Sequence, residues 1–322
     1  MATPITLKRI GAFLLRYLLV LWLAVTLLFV ALSVMRGNPV DMFLDTRMKE
    51  DVREQLMEIY GYDAHPIQRY FLYLGNVVRG RLGHSFIHGK PVSFLLANSI
   101  GKSLWLTGFS FVVALILCFA LLAGMTQRRF AWLRRFCSFY VSLAMALPPF
   151  IVAVLLLGFV AVYLDWLPQY GTRSLFATES GTFGAFMDLL RHTILPGLSI
   201  ALPVSGLFAA YLHEHLEELE MAPFVLSARG RGVRYWRVFI NHQLRTLLPS
   251  FIQLCGLFLP GMAGGVLVIE AIFGWTGMGA LLIEAVIGRD FPLLLGGCIW
   301  CAALVIPGYE LADYFSEQWG TG

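Results

Sequence analysis

Three groupings in this sequence contain residue types that do chemistry elsewhere, and spacing decides between them. Gly101-Lys102-Ser103 ends like a phosphate-binding loop. That loop needs a glycine five positions before Gly101, and Leu96 stands there. His213-Glu214-His215 offers metal-ligand side chains, but two histidines share a helical face four residues apart, and these are two apart. It reads as a polar helix end. Cys298-Ile299-Trp300-Cys301 has redox-pair spacing without the βαβ setting or the exposure such a pair needs. These two, with Cys118, Cys137 and Cys255, lie in or beside apolar runs and read as small buried hydrophobes. His84 and His88 read as ordinary loop residues. No Gly-x-Ser-x-Gly elbow and no convincing Cys/His constellation occurs. The expectation is a chain with no catalytic residue, no metal site and no cofactor of its own.

The elements that must position whatever function exists are apolar. Of 322 residues, 58% are hydrophobic and 14% charged. Soluble domains run at roughly 45–50% and about 25%. This excludes a cytosolic enzyme, a disordered chain and a nucleic-acid binder; the net charge of +4 is modest. Six runs approach the roughly 20 residues that cross a bilayer: Tyr17 to Met35, Ser103 to Met125, Ser138 to Leu164, Ile194 to Leu212, Phe251 to Phe273 and Phe291 to Tyr309. The first follows Lys8, Arg9 and Arg16, is too long for a signal peptide, lacks its cleavage site, and reads as a retained helix. Pro148 and Pro149 are expected to kink the third run. The fold expected is all-α, a six-span polytopic membrane protein in lipid.

Orientation follows the arginines. Residues 126–137 hold Arg128, Arg129, Arg134 and Arg135; residues 213–250 hold Arg229, Arg231, Arg234, Arg237 and Arg245. The short opposite loops hold only Arg173, Arg191 and Arg289. Both termini and the Arg-rich loops are therefore expected in the cytoplasm. The expected divisions are 1–35, a cytoplasmic segment and first span; 36–102, a periplasmic helical loop; 103–315, a five-helix core with cytoplasmic loop 213–250; and 316–322, a cytoplasmic tail. In the periplasmic loop, Met48, Val52, Leu56 and Ile59 recur at helical spacing, Gly61 can stop that helix, and Pro66 opens a second amphipathic stretch through Leu74. Gly80, Gly83 and Gly89 punctuate the rest.

Loop 213–250 is too long for a plain turn. Pro223 suits a first helical position, Phe224 to Arg229 makes one or two turns, and Gly232 offers a left-handed stop. A second helical stretch holds Val238, Phe239, Leu244 and Leu247 before Pro249. Such an element docks in a soluble partner's groove or is an ordinary amphipathic connector; the residues alone leave both open.

Ser227-Ala228-Arg229-Gly230-Arg231-Gly232, then His242-Gln243-Leu244-Arg245 and Leu247-Leu248-Pro249, resembles the EAA loop of ABC-importer permeases, in the variant of the dipeptide/oligopeptide/nickel permease family. That family's glycine, followed ten residues later by His-x-Leu-Arg and then by a hydrophobic residue and proline, is matched by Gly232, His242, Leu244, Arg245, Leu248 and Pro249. Three further blocks resemble the same family: Ile59 to Asp63 with Pro66, Arg69-Tyr70 and Gly80 to Ser85; Asp165-Trp166-Leu167-Pro168; and Glu270 to Gly279 with Arg289 to Pro292. Departures are Pro223, Leu226 for the general pattern's glutamate, Arg81, Gly101, Thr276 and a missing basic C-terminal end.

The resemblance implies a type I ABC-importer transmembrane subunit in a bacterial inner membrane. It implies pairing with a second homologous permease, two cytoplasmic ATPases that bind ATP and Mg, and a periplasmic or lipid-anchored solute-binding protein. Phe224, Val225, Ser227, Ala228, Arg229, Arg231, Gly232, His242 and Arg245 would then form the ATPase-coupling element, with Phe224 and Val225 in the ATPase groove and Arg229 and Arg231 on its acidic rim. Short peptides, nickel and metal chelates including metallophores are all open as cargo. Pathway or gate candidates are Pro148, Pro149, Pro203 and Glu270, with Pro196 also a hinge candidate; simple kinks are the alternative for the prolines. Glu270 either lines the outer gate or meets a cationic substrate, or else caps the Phe273-Gly274-Trp275 turn, and a glutamate shared with the family whatever the cargo favours the cap. A secondary transporter is the rival class, although it calls for inverted repeats and mid-membrane charges, and only Glu270 is available. A membrane-embedded enzyme would need paired catalytic groups at equal depth, which the sequence does not offer.

Overall fold

The computed structural model describes residues 7–34, 65–126, 130–174 and 181–303. Among them all regular structure is helical, apart from an isolated antiparallel bridge between His84 and Pro91. The helices are α1 (Leu7–Val34), α2 (Pro66–Val78), α3 (Val92–Met125), α4 (Ala131–Ala146) and α5 (Pro149–Leu156), which runs on as a π-helix, Leu157–Tyr163. There follow α6 (Gly181–Glu220), α7 (Pro223–Gly230), α8 (Tyr235–Val238), a second π-helix (Phe239–Leu244), α9 (Arg245–Ile272), α10 (Met278–Ile287) and α11 (Phe291–Ala303). The helix expected over 48–59 and its Gly61 stop lie outside the described residues.

The chain forms two compact units. One contains Ser103–Thr276; the other contains residues 7–102 and 277–303 among those described. In the first, α6 has 40 residues, while α3, with 34, lends it all but its first turns; both are long and apolar enough to cross a membrane. At 1.5 Å per residue α6 is about 60 Å long, twice the roughly 30 Å of hydrocarbon it must span. The third apolar run is not one kinked rod. Ala131–Ala146 and Pro149–Tyr163 meet at 107°, because Pro148 is held extended and Pro149 starts a new helix rather than continuing the old one. Pro196 and Pro203, by contrast, sit inside a continuous α6. Each removes one amide donor, to the carbonyls of His192 and Ser199, without ending the helix.

Lipid chains are as apolar as leucine, so close fit rather than water exclusion holds these helices together. Glycines provide the fit. A Cβ on Gly197 would lie 2.6 Å from the Phe109 ring, and one on Gly206 would overlap the Ala144 methyl. Phe208 is wholly buried. It meets Phe111, Phe251 and Phe258 edge to face, at centroid distances of 6.3, 5.6 and 5.4 Å.

In the second unit, the Tyr70 hydroxyl lies 2.7 Å from Thr26 Oγ1 and its ring packs on Phe29 at 5.3 Å. Asp290 caps α11 by accepting the Leu293 amide at 3.2 Å. Its other oxygen accepts Ser85 Oγ at 2.5 Å and the Ile87 amide at 3.2 Å, which pins the 84–91 turn. Gly89 within this turn, and Gly80 and Gly83 before it, adopt positive φ, as their punctuating role requires.

Candidate functional site

The segment 213–250 is more helical than its polarity implies. α6 continues past Leu212 to Glu220. His213 Nδ1 lies 3.6 Å from Glu217 Oε1, and His215 Nδ1 donates to the Tyr211 carbonyl at 3.1 Å. Both histidines are thus engaged along the helix, and no group of three metal-ligating side chains occurs among the described residues.

After Met221 and Ala222 the chain turns, and Pro223 takes the first position of α7, where an N–H would have no partner. The helix ends on Gly232 at φ +76°. The Gly232 amide donates to the Arg229 carbonyl at 2.9 Å and the Val233 amide to the Ala228 carbonyl at 3.2 Å. These two bonds, with Val233 packed against the cluster of Val225, Ala228 and Val238, form the left-handed glycine cap that satisfies the last carbonyls of a helix. The chain re-enters through α8 and a π-helical turn, and Pro249 lies within α9 rather than ending a helix.

A small core holds α7 in place: Val225, Ala228 and Val238, with Ala222 and Val233 around them. Val225 is 0% exposed, whereas its neighbours Phe224 and Leu226 are 42% and 49% exposed. The structure therefore separates Phe224 from Val225: Val225 belongs to the loop's own interior and cannot also fill a partner's groove. The arginines separate too. Arg229 donates to Glu220 Oε1 at 3.1 Å, tying α7 to the end of α6. Arg231 is exposed, with Nε donating to the Ser227 carbonyl at 3.3 Å. Ser227, Gly232, His242 and Arg245 are exposed, and the His242 ring lies 6.3 Å from that of Phe224. Sequence reasoning missed Glu220, Leu226 and the inward Val238; the nine-residue spacing of Glu220 and Arg229 follows no helical rule.

The pathway candidates are distributed over the α4–α5 bend, α6 and α9. Pro148 is exposed and Pro149 half-buried at the α4–α5 bend, and Pro203 is buried in α6. Glu270 is fully buried near the end of α9. Its carboxylate accepts Ser103 Oγ at 2.6 Å, and its carbonyl accepts the Trp275 amide at 2.8 Å. The main chain of Glu270 thus caps the turn at Gly274 (φ +58°), and its side chain reaches α3. Nearby, Trp105 Nε1 donates to Thr193 Oγ1 at 3.1 Å, and the Gly171 amide donates to the Phe273 carbonyl at 2.9 Å. Asp188 accepts Ser174 Oγ at 2.6 Å and the Ser174 amide at 2.8 Å. Burial alone would raise the Asp188 pKa, but these bonds, with His192 and Arg173 nearby, outweigh it and hold the carboxyl below its ordinary value.

Residues 116–317 match the model of the family described as binding-protein-dependent transport system inner membrane components. The match covers more than half of the chain, and the protein belongs to this family: it is a multi-pass inner-membrane permease component of the ABC-importer type. Such components work with ATPase and solute-binding partners. Among curated proteins, the oligopeptide transport system permease AppB of Bacillus subtilis is 29% identical over 90% of this chain and 91% of its own. The glutathione transport system permease GsiC of Escherichia coli K12 is 27% identical over 85% of each. A chain from the inward-facing MetNI methionine ABC transporter aligns with a TM-score of 0.49 and 18% identity, over 70% of this chain and 95% of that one.

Proposed function

We propose that this chain forms half of a transmembrane pathway for short peptides, beside a second homologous permease, and takes its energy from two cytoplasmic ATPases through α7. The observation that carries the reading is the construction of α7. It is a preformed helix, capped by Pro223 and Gly232 and seated on its own three-residue core, that holds Phe224 and Leu226 outward. A groove on a soluble partner needs a rigid apolar anchor of this kind, and exposed charge pairs such as one from Arg231 add only about 0–1 kcal/mol. ATP and Mg belong to the ATPases. A solute-binding protein delivers the cargo on the face opposite α7. The arginines of 126–137 and 213–250 support a cytoplasmic α7. Peptides are the proposed cargo because the relatives above are described as oligopeptide and glutathione permeases.

The test is peptide uptake by proteoliposomes holding the chain with its second permease, ATPases and binding protein. Phe224→Ala should leave the complex able to hydrolyse ATP and lower uptake by about tenfold or more, as loss of a buried aromatic anchor does. Undiminished uptake in Phe224→Ala, or uptake by the chain without ATPases, would refute the proposal.

A further inference from the structure

The hydrogen bonds around Glu270 close a circuit. Ser103 of α3 donates to Glu270 of α9 at 2.6 Å. The Phe273 carbonyl, just beyond α9, accepts Gly171 of the 164–174 strap at 2.9 Å. Ser174, at the other end of the strap, donates to Asp188 of α6 at 2.6 and 2.8 Å. Thr193 of α6 accepts Trp105 of α3 at 3.1 Å. All these residues lie in one compact unit. They also lie at one end of it: Glu270 is about 38 Å along α9 from Arg245, and Asp188 about 48 Å along α6 from Glu220. The circuit is therefore remote from α7.

Its links differ in kind. The α9–strap link is backbone to backbone, with Thr172 Oγ1 3.1 Å from Thr276 Oγ1 beside it, and the strap–α6 link is doubled, with the Ser174 amide and hydroxyl on the two oxygens of Asp188. The two links to α3 join side chain to side chain, so a change of rotamer releases them without moving the backbone. We propose that α6, the strap and α9 form one arc, and that Ser103 and Trp105 of α3 are its clasp: this end of the pathway opens when α3 leaves the arc. Glu270 is then a positioning residue, holding α3 rather than cargo. The clasp rests on the transport reading, since only a pathway that opens alternately at its two ends needs a releasable closure.

The test uses spin labels in the complete complex, in a background with the five cysteines changed to serine. Leu104→Cys with Phe183→Cys reports α3 against α6; Trp166→Cys with Phe183→Cys reports the strap against α6, and all three side chains are exposed. Ser103→Ala, or Glu270→Ala, should move the 104–183 population toward longer distances by about tenfold, the worth of one hydrogen bond to a carboxylate. The 166–183 distance should stay fixed. Glu270→Gln keeps an oxygen acceptor and should remain clasped. Unmoved 104–183 distances in both alanine variants, or Glu270→Gln opening as far as Glu270→Ala, would overturn the proposal. Trp105→Phe, which removes only the indole donor, gives the same readout should the Glu270 variants fail to assemble. Uptake by the unsubstituted complex tests the transport reading separately: import with unmoved distances refutes the clasp and leaves that reading standing.

Discussion

Replacing Val225 by alanine removes two methyl groups from an interior that has few to lose. The core under α7 is Val225, Ala228 and Val238, with only Ala222 and Val233 around it. Each lost methyl forfeits about 0.8 kcal/mol of transfer energy, and incomplete collapse of the space adds a cavity cost. The total is about 2 kcal/mol, or about 30-fold in the equilibrium between α7 docked and α7 open. Amide hydrogen exchange of the purified protein reads that equilibrium directly. Amides of residues 225–233 should exchange about 30-fold faster in Val225→Ala, while those of α6 around Phe208 keep the wild-type rate. Phe224→Ala is the control from the adjacent position. It trims an exposed ring and should leave exchange within about twofold. Equal acceleration by both variants would refute the inward and outward assignment of the two residues; no acceleration by Val225→Ala would refute the claim that this small core holds the helix.

Gly232 sits at φ +76°, so Gly232→Ala should cost about 1–2 kcal/mol, raise exchange across 228–233 and lower coupled uptake. Gly206→Ala sets a methyl against the Ala144 methyl and should lower the midpoint of thermal unfolding by the equivalent of about 1–3 kcal/mol; adding Ala144→Gly should restore most of it. Asp188 has a folded pKa below its unfolded value, so it contributes stability above the ordinary carboxylate range that is lost as pH falls through the depressed value. Ser174→Ala removes the hydroxyl donor, so the loss should begin at higher pH in melts recorded from pH 7 to pH 3. An unchanged acid profile in Ser174→Ala would show that the hydroxyl does not sustain the depression.

What the sequence made legible was local. Pro66 and Pro223 begin helices because an N-terminal N–H is dispensable, and Gly232 ends one because it alone adopts positive φ without cost; both rules act on one residue at a time. Among the described residues the apolar runs are helical for the same reason, bilayer length being a property of composition. The extension of α6 was legible as far as His215, a polar helix end, but not to Glu220, because the four glutamates of 214–220 outweigh Leu216 and Leu219, although the histidines have partners one turn away along the helix. Which of Phe224, Val225 and Leu226 faces inward could not be read from three consecutive apolar residues in an eight-residue helix. Val238 decides it, from the far side of the turn. One partner of Glu270, Ser103, stands 167 residues away, and nothing near either residue announces the other. The break at Pro148 was expected as a kink within one helix and is a 107° bend between two.

Because α6 runs unbroken from Gly181 to Glu220, the carboxylate that anchors the strap and the one that steadies α7 ride on a single rod. A tilt of about 10° about the rod's middle would carry each end sideways by about 5 Å, in opposite directions. A sideways displacement at the Glu220 end is thereby delivered, reversed, at the Asp188 end by leverage, with no intervening relay of side chains to retune.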